Sequence, residues 1–177
     1  MAYPEPTVTQ ERVYYPIQAQ TREQVWQQIK QNSPKGEFQR AGEHLINVAV
    51  TQWSLETRYQ YEVSLTQCKL RDIQPFLHIR IHMPHWKNSW QADPLLAENW
   101  SRYVRMVSDH EDIHKQYAIK MVNELDKLLH GLGSFKRCQQ LEDEVEKLTN
   151  KTISKYKLEN AWFDAKERIY QRELEWF

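Results

Sequence analysis

No stretch of this chain approaches the roughly 18 consecutive apolar residues of a membrane-crossing helix, so no such helix is expected. Charge of one sign is also missing. Lys and Arg number 24 against 24 Asp and Glu, the formal net charge is +0, and the pI is near 7.1. A protein whose main partner is a phosphate backbone carries a basic footprint, so no nucleic-acid partner is expected. Cysteine is scarce. Cys68 and Cys138 are the only two, and they lack the C-x-x-C spacing of a zinc ribbon or a dithiol redox motif. Two readings stay open: a pair of buried thiols packed as small hydrophobes, or a disulfide closing a long loop. The start, Met1-Ala2-Tyr3-Pro4, lacks the basic-then-apolar pattern of a secretory leader. There is no internal repeat and no low-complexity tract.

What is present is core-forming bulk. The 177 residues are 40% apolar and 12% aromatic, with seven Trp and nine Tyr, which excludes a disordered chain. One domain is expected over 1–177, with its body at about 8–170 and a helical C-terminal part at 135–177. Val8, Val13, Tyr14, Tyr15 and Ile17, around Pro16, predict a short edge strand. Thr21 with Gln24 reads as a capping box, and Val25, Trp26 and Ile29 give the following helix its apolar stripe until Ser33-Pro34-Lys35-Gly36. Alternation with period two then predicts half-buried antiparallel strands at Leu45, Ile46, Val48 and Val50 and at Tyr59, Tyr61, Val63 and Leu65. A third strand has Leu77, Ile79, Ile81 and Met83 on one face and His78, Arg80 and His82 on the other. Its segment Phe76 to Met83 is expected to be a sheet edge along which an extended peptide could lie.

Asp93-Pro94 is a helix start, a capping carboxylate followed by proline at the first helical position. Leu96, Trp100, Tyr103, Val107, Ile113, Tyr117, Met121, Leu125 and Leu128 then recur at three- and four-residue steps until Gly131-Leu132-Gly133. The remainder is helical in two segments, with Asn150-Lys151-Thr152 between them. The fold class is therefore α+β, a small antiparallel sheet plus long helices.

Within the long helix stands His110-Glu111-Asp112-Ile113-His114, an H-E-x-x-H string. Four residues return to nearly the same helix face, about 6 Å up the axis, so His110 and His114 can converge on one Zn²⁺. Glu111 points aside from that pair. It suits a general base acting on a zinc-bound water, and the chemistry implied is amide hydrolysis. Val107, Tyr117 and Met121 form the apolar wall of such a helix. A third metal ligand is needed. Glu124 lies ten residues beyond His114, about 15 Å along the axis, and is too far. An antiparallel return with straight helices favours residues near 150, and Glu142, Glu144, Glu146, Glu159, Asp164 and Glu167 are the acidic candidates. His78, His82 and His85 are lesser ones.

These residues resemble a bacterial domain family of unknown function (domain of unknown function 922) described as secreted zinc-dependent proteases, in the H-E-x-x-H metallopeptidase class that includes thermolysin. The resemblance rests on Tyr14-Tyr15-Pro16-Ile17, the Trp53 region, Cys68, Met83-Pro84-His85-Trp86, Trp100, Tyr103, the zinc motif and Cys138. It implies a zincin-like fold, zinc ligands His110 and His114, base Glu111, a Cys68–Cys138 disulfide, and a periplasmic or secreted location with any leader removed. Such proteins usually close with Tyr-Asp-x-x-Thr-x-His-Gly, where this chain has Phe163-Asp164-Ala165-Lys166-Glu167-Arg168-Ile169-Tyr170. The Asp is kept and the His is lost, which makes Asp164 the expected third ligand, with Glu167 as its rival. The expected function is peptide-bond hydrolysis on a peptide or protein substrate. The alternative is a catalytically inactive zincin-like binding or scaffold protein with a degenerate metal site.

Overall fold

The structure, a computed structural model, describes residues 4–34 and 47–171, with side chains placed as far as Glu167. Its elements follow as β1 (Thr7–Ile17), α1 (Arg22–Asn32), β2 (Val50–Val63), β3 (Cys68–Trp86), α2 (Pro94–His130) and α3 (Cys138–Gln171), with a 3-10 turn at Ser89–Gln91. The fold is α+β, as the order of periodicities predicts. The helix starts are also where the caps place them. Thr21 Oγ1 accepts from the Gln24 amide, and Asp93 Oδ1 accepts from the Leu95 amide at 2.9 Å and the Leu96 amide at 3.2 Å.

The sheet departs from expectation in three ways. First, its order is β1-β3-β2, so Phe76 to Met83 lies in the central strand and not at an edge. Both of its flanks are hydrogen-bonded, and no peptide can be added there. Second, the sheet is mixed and not purely antiparallel. Gln74 reaches Thr7, His78 reaches Thr9 and Arg80 reaches Glu11, so the two strands advance together and β1 runs parallel to β3. A parallel pair needs a crossover, and α1 with β2 supplies it. Third, β2 is one 14-residue strand where two were expected. Val48 precedes it, Leu65 lies in the turn after it with full exposure, and Leu45 and Ile46 fall outside the described residues.

The alternation in β3 contains a reset. Cys68 and Leu70 are buried, then Ile73, Leu77, Ile79, Ile81 and Met83 are, so the inward face skips by one at Arg71-Asp72. Asp72 has φ 51°. A residue in the left-handed region inserted in a strand is how a bulge shifts the pleat by one position, and it keeps all seven apolar side chains on one face.

By contact density the chain forms two units, and β1, β2, β3, α2 and α3 each contribute residues to both. One contains Trp53–His78 and Gln116–Ala165. Its core is Cys68, Leu70, Ile73, Leu125, Leu129, Leu141 and Val145. Leu125, Leu129 and Leu141 have no exposed surface, and burying each contributes about 2–3 kcal/mol. Leu128, expected in the apolar stripe, is 38% exposed; Leu129 faces inward in its place. The Cys68–Cys138 disulfide belongs to this core, with Cα atoms 5.2 Å apart. It ties β3 to the first residue of α3. The other unit contains Ile79–Lys115 and packs Ile17, Val25, Ile29, Trp86 and Trp100 together. Trp86 and Trp100 meet edge to face at 5.8 Å, and the Trp86 indole donates to the Ala19 carbonyl at 3.0 Å.

α3 runs unbroken through Asn150-Lys151-Thr152. Thr152 is buried and returns its hydroxyl to the Leu148 carbonyl at 2.8 Å, so the expected division is absent. The pairing of α3 with α2 is read from Glu124, which accepts from Lys155 at 2.6 Å and from the Tyr156 hydroxyl at 2.9 Å, and from the Tyr117–Phe163 ring pair at 6.3 Å. Seven residues back along α2, from Glu124 to Tyr117, match seven forward along α3, from Tyr156 to Phe163. The expectation that residues near 150 lie level with the motif is therefore wrong. It counted from the ends of the two helices, whereas α3 starts well before it comes level with α2.

Hydrogen bonds from Lys155 and then from Tyr156 hold the Glu124 carboxyl below its usual range. A carboxyl depressed on folding stabilises above its unfolded pKa, about 4.3 for Glu, and that contribution is lost as pH falls through the folded value. Glu124→Gln should therefore lower the unfolding free energy read from urea denaturation at pH 7 by about 0.5–1 kcal/mol, given the exposure of the pair. The difference from the parent chain should shrink at pH 3. An equal difference at both pH values would show that the charge is not what matters.

Candidate metal centre

α2 is 37 residues long, so the H-E-x-x-H string lies well inside it, with regular helical backbone on both sides. His110 and His114, one turn apart, are half-buried, and their rings meet at 4.7 Å between centroids, inclined at 76°. Their Nε2 atoms are 3.0 Å apart. Asp164, the expected third ligand, is half-buried on α3 and offers a carboxylate oxygen. Two nitrogens bound at about 2.0–2.1 Å to a tetrahedral zinc are about 3.3 Å apart, so the imidazole pair is within a few tenths of an ångström of that spacing. Two imidazoles and one carboxylate is a donor set that suits zinc and leaves a fourth position open. The residues fit the ion.

Glu111 is not a member of that set. It is 5% exposed, and the Thr51 hydroxyl donates to its Oε2 at 2.6 Å. Asp112, the next residue, is held from two directions. Arg12 of β1 reaches both carboxylate oxygens at 2.9 Å and also the Ser108 hydroxyl at 2.9 Å, while Lys115 reaches Oδ1 at 2.6 Å. Burial pushes the Asp112 carboxyl up, but Lys115 and Arg12 outweigh it and hold the group below the usual carboxylate range. A fork from β1 that spans Ser108 and Asp112, one turn apart, fixes the motif's stretch of helix against rotation.

The other sequence candidates lie elsewhere or are otherwise engaged. His78 meets the Thr9 hydroxyl at 2.9 Å, His82 meets Gln52 at 3.2 Å and is held below its usual pKa chiefly by burial, and His85 stacks edge-on with Tyr14. Glu124 serves Lys155 and Tyr156. Glu144 takes Lys147, while Glu142 and Glu146 face solvent. Glu167, half-buried on α3, is in no metal-capable group among the described residues. Of the apolar wall, Met121 is buried and Val107 and Tyr117 are half-buried. Arg12 and Thr51 were not singled out by sequence reasoning. Each acts across 60 or more residues of chain, and no local spacing signals such a pairing.

An α+β chain with a mixed three-stranded sheet, carrying an H-E-x-x-H string on its longest helix, is the class defined by these elements. The chain belongs to the family described as bacterial protein of unknown function (DUF922), whose profile matches residues 12–171. No curated protein and no solved structure shows significant similarity to it.

Proposed function

We propose that this protein is a zincin-like, zinc-dependent metallopeptidase acting on peptide or protein substrates, with His110, His114 and Asp164 as metal ligands and Glu111 as general base. The convergence of the two imidazoles, whose Nε2 atoms lie 3.0 Å apart on one face of α2, carries this reading. Zinc held there supplies Lewis acidity toward a carbonyl and lowers the pKa of water toward neutrality. The chain's own contribution is to orient two imidazoles from one helix face, to offer a carboxylate from α3, and to supply Glu111, the residue after His110, as a proton acceptor. The Cys68–Cys138 bond agrees with export to the periplasm or beyond, since such bonds persist in oxidising compartments. No described helix is long and apolar enough to cross a membrane.

The test is hydrolysis of an unstructured protein by the zinc-loaded chain. Removing zinc with a chelator should abolish it and returning zinc should restore it. Glu111→Gln should lower the rate by roughly 10²–10⁴-fold with zinc still bound, the usual contribution of a general base. Full activity in Glu111→Gln would refute the assignment. The low exposure of Glu111 favours the rival reading, a zincin-like binding or scaffold protein without turnover in which this carboxylate is structural. Stoichiometric zinc with no hydrolysis of any peptide would decide for it.

A further inference from the structure

Glu111 has three rotatable side-chain bonds, and a base that turns about them freely spends little time where a proton must be taken. The helix under it is already fixed by Arg12, through Ser108 and Asp112. Among the described residues, Thr51 of β2 meets the side chain itself. Thr51 Oγ1 lies 2.6 Å from Glu111 Oε2 and 3.2 Å from the Glu111 carbonyl oxygen. A hydroxyl has one proton, and the shorter contact to a carboxylate is the one that takes it. Thr51 is suited to this duty, because a β-branched side chain on a strand is stiff at χ1 and the direction of its hydroxyl is set by the backbone of β2. With Glu111 5% exposed, water does not readily replace a lost donor.

We propose that Thr51 is a positioning residue for Glu111, holding its carboxylate in one rotamer. The proposal rests on the reading of Glu111 as the base, and its test is arranged so that the two can fail separately. Thr51→Val removes the hydroxyl at nearly constant shape, and Thr51→Ser restores it. In the zinc-loaded protein, Thr51→Val should lower kcat about 10- to 100-fold, the scale of a small misplacement of a catalytic group, with KM and zinc affinity within about twofold of the parent. Thr51→Ser should recover most of the loss. An unchanged kcat in Thr51→Val, an equal loss in the valine and serine variants, or a loss that follows zinc affinity would each overturn the proposal.

The second measurement needs no turnover. In the metal-free protein, a denaturation cycle of Thr51→Val, Glu111→Ala and the double variant should be non-additive by about fivefold or more in the unfolding equilibrium. Additive effects would overturn the proposal even if hydrolysis were observed. If the parent chain hydrolyses nothing, the peptidase reading has failed. The role of Thr51 as a positioning residue for a base falls with it, and a non-additive cycle then assigns the pair to a structural bond.

Discussion

Asp164→Ala is expected to weaken zinc binding by more than roughly a hundredfold, because groups that only orient a ligand already cost 10–100-fold when removed. Glu167→Ala, three residues along α3, should change it less than about threefold. The contrast follows from the assignment. Asp164 is the proposed third ligand, and Glu167 belongs to no metal-capable group among the described residues. A titration with competing chelator at fixed pH reads the difference, and folding of both variants is checked by circular dichroism. If both variants bound zinc like the parent, the site would be closed by a group other than these two or would be a two-histidine remnant, and the scaffold reading would overtake the peptidase one.

The second large effect concerns stability. Cys68 and Cys138 are separated by 70 residues, and closing a loop of that length removes enough unfolded-state entropy to be worth about 4 kcal/mol. Cys68→Ser with Cys138→Ser should therefore lower the unfolding free energy by about that amount, close to a thousandfold in the folding equilibrium. The backbone pair between Cys68 and Phe135, with N···O distances of 2.7 and 2.8 Å, survives the substitution. It holds the start of β3 to the segment before α3, so the variant should still fold. Urea unfolding of both proteins under non-reducing conditions checks this, and a loss below about 1 kcal/mol would mean that the native bond is strained or the unfolded chain already compact.

Where structure is local, the sequence already determined it. Thr21 and Asp93-Pro94 mark two helix starts because capping is settled within three residues of chain. The H-E-x-x-H string places two imidazoles on one face because four residues nearly complete a helical turn. What was not legible is what spans distance. The parallel pairing of β1 with β3 joins residues 69 apart, as in Thr9 with His78, and period-two alternation looks the same in parallel and antiparallel strands. The bulge at Asp72 hides because Arg71 and Asp72 read as two ordinary polar positions. Thr152 looked like a breaker beside Asn150, yet its hydroxyl is satisfied within the helix, so nothing ends α3 there. For the site, the histidines and Glu111 came from spacing, and Asp164 came from a resemblance that spacing argued against. Arg12 and Thr51 came from neither.

The central claim is that His110, His114 and Asp164 bind zinc together, and the most direct measurement is an anomalous-difference map at the zinc edge from crystals grown with one equivalent of zinc. The account predicts one strong peak about 2.0–2.2 Å from a nitrogen of His110, a nitrogen of His114 and a carboxylate oxygen of Asp164, with Glu111 near but not bound. A map with no peak there, and with the two Nε2 atoms still within hydrogen-bond distance of each other, would contradict it.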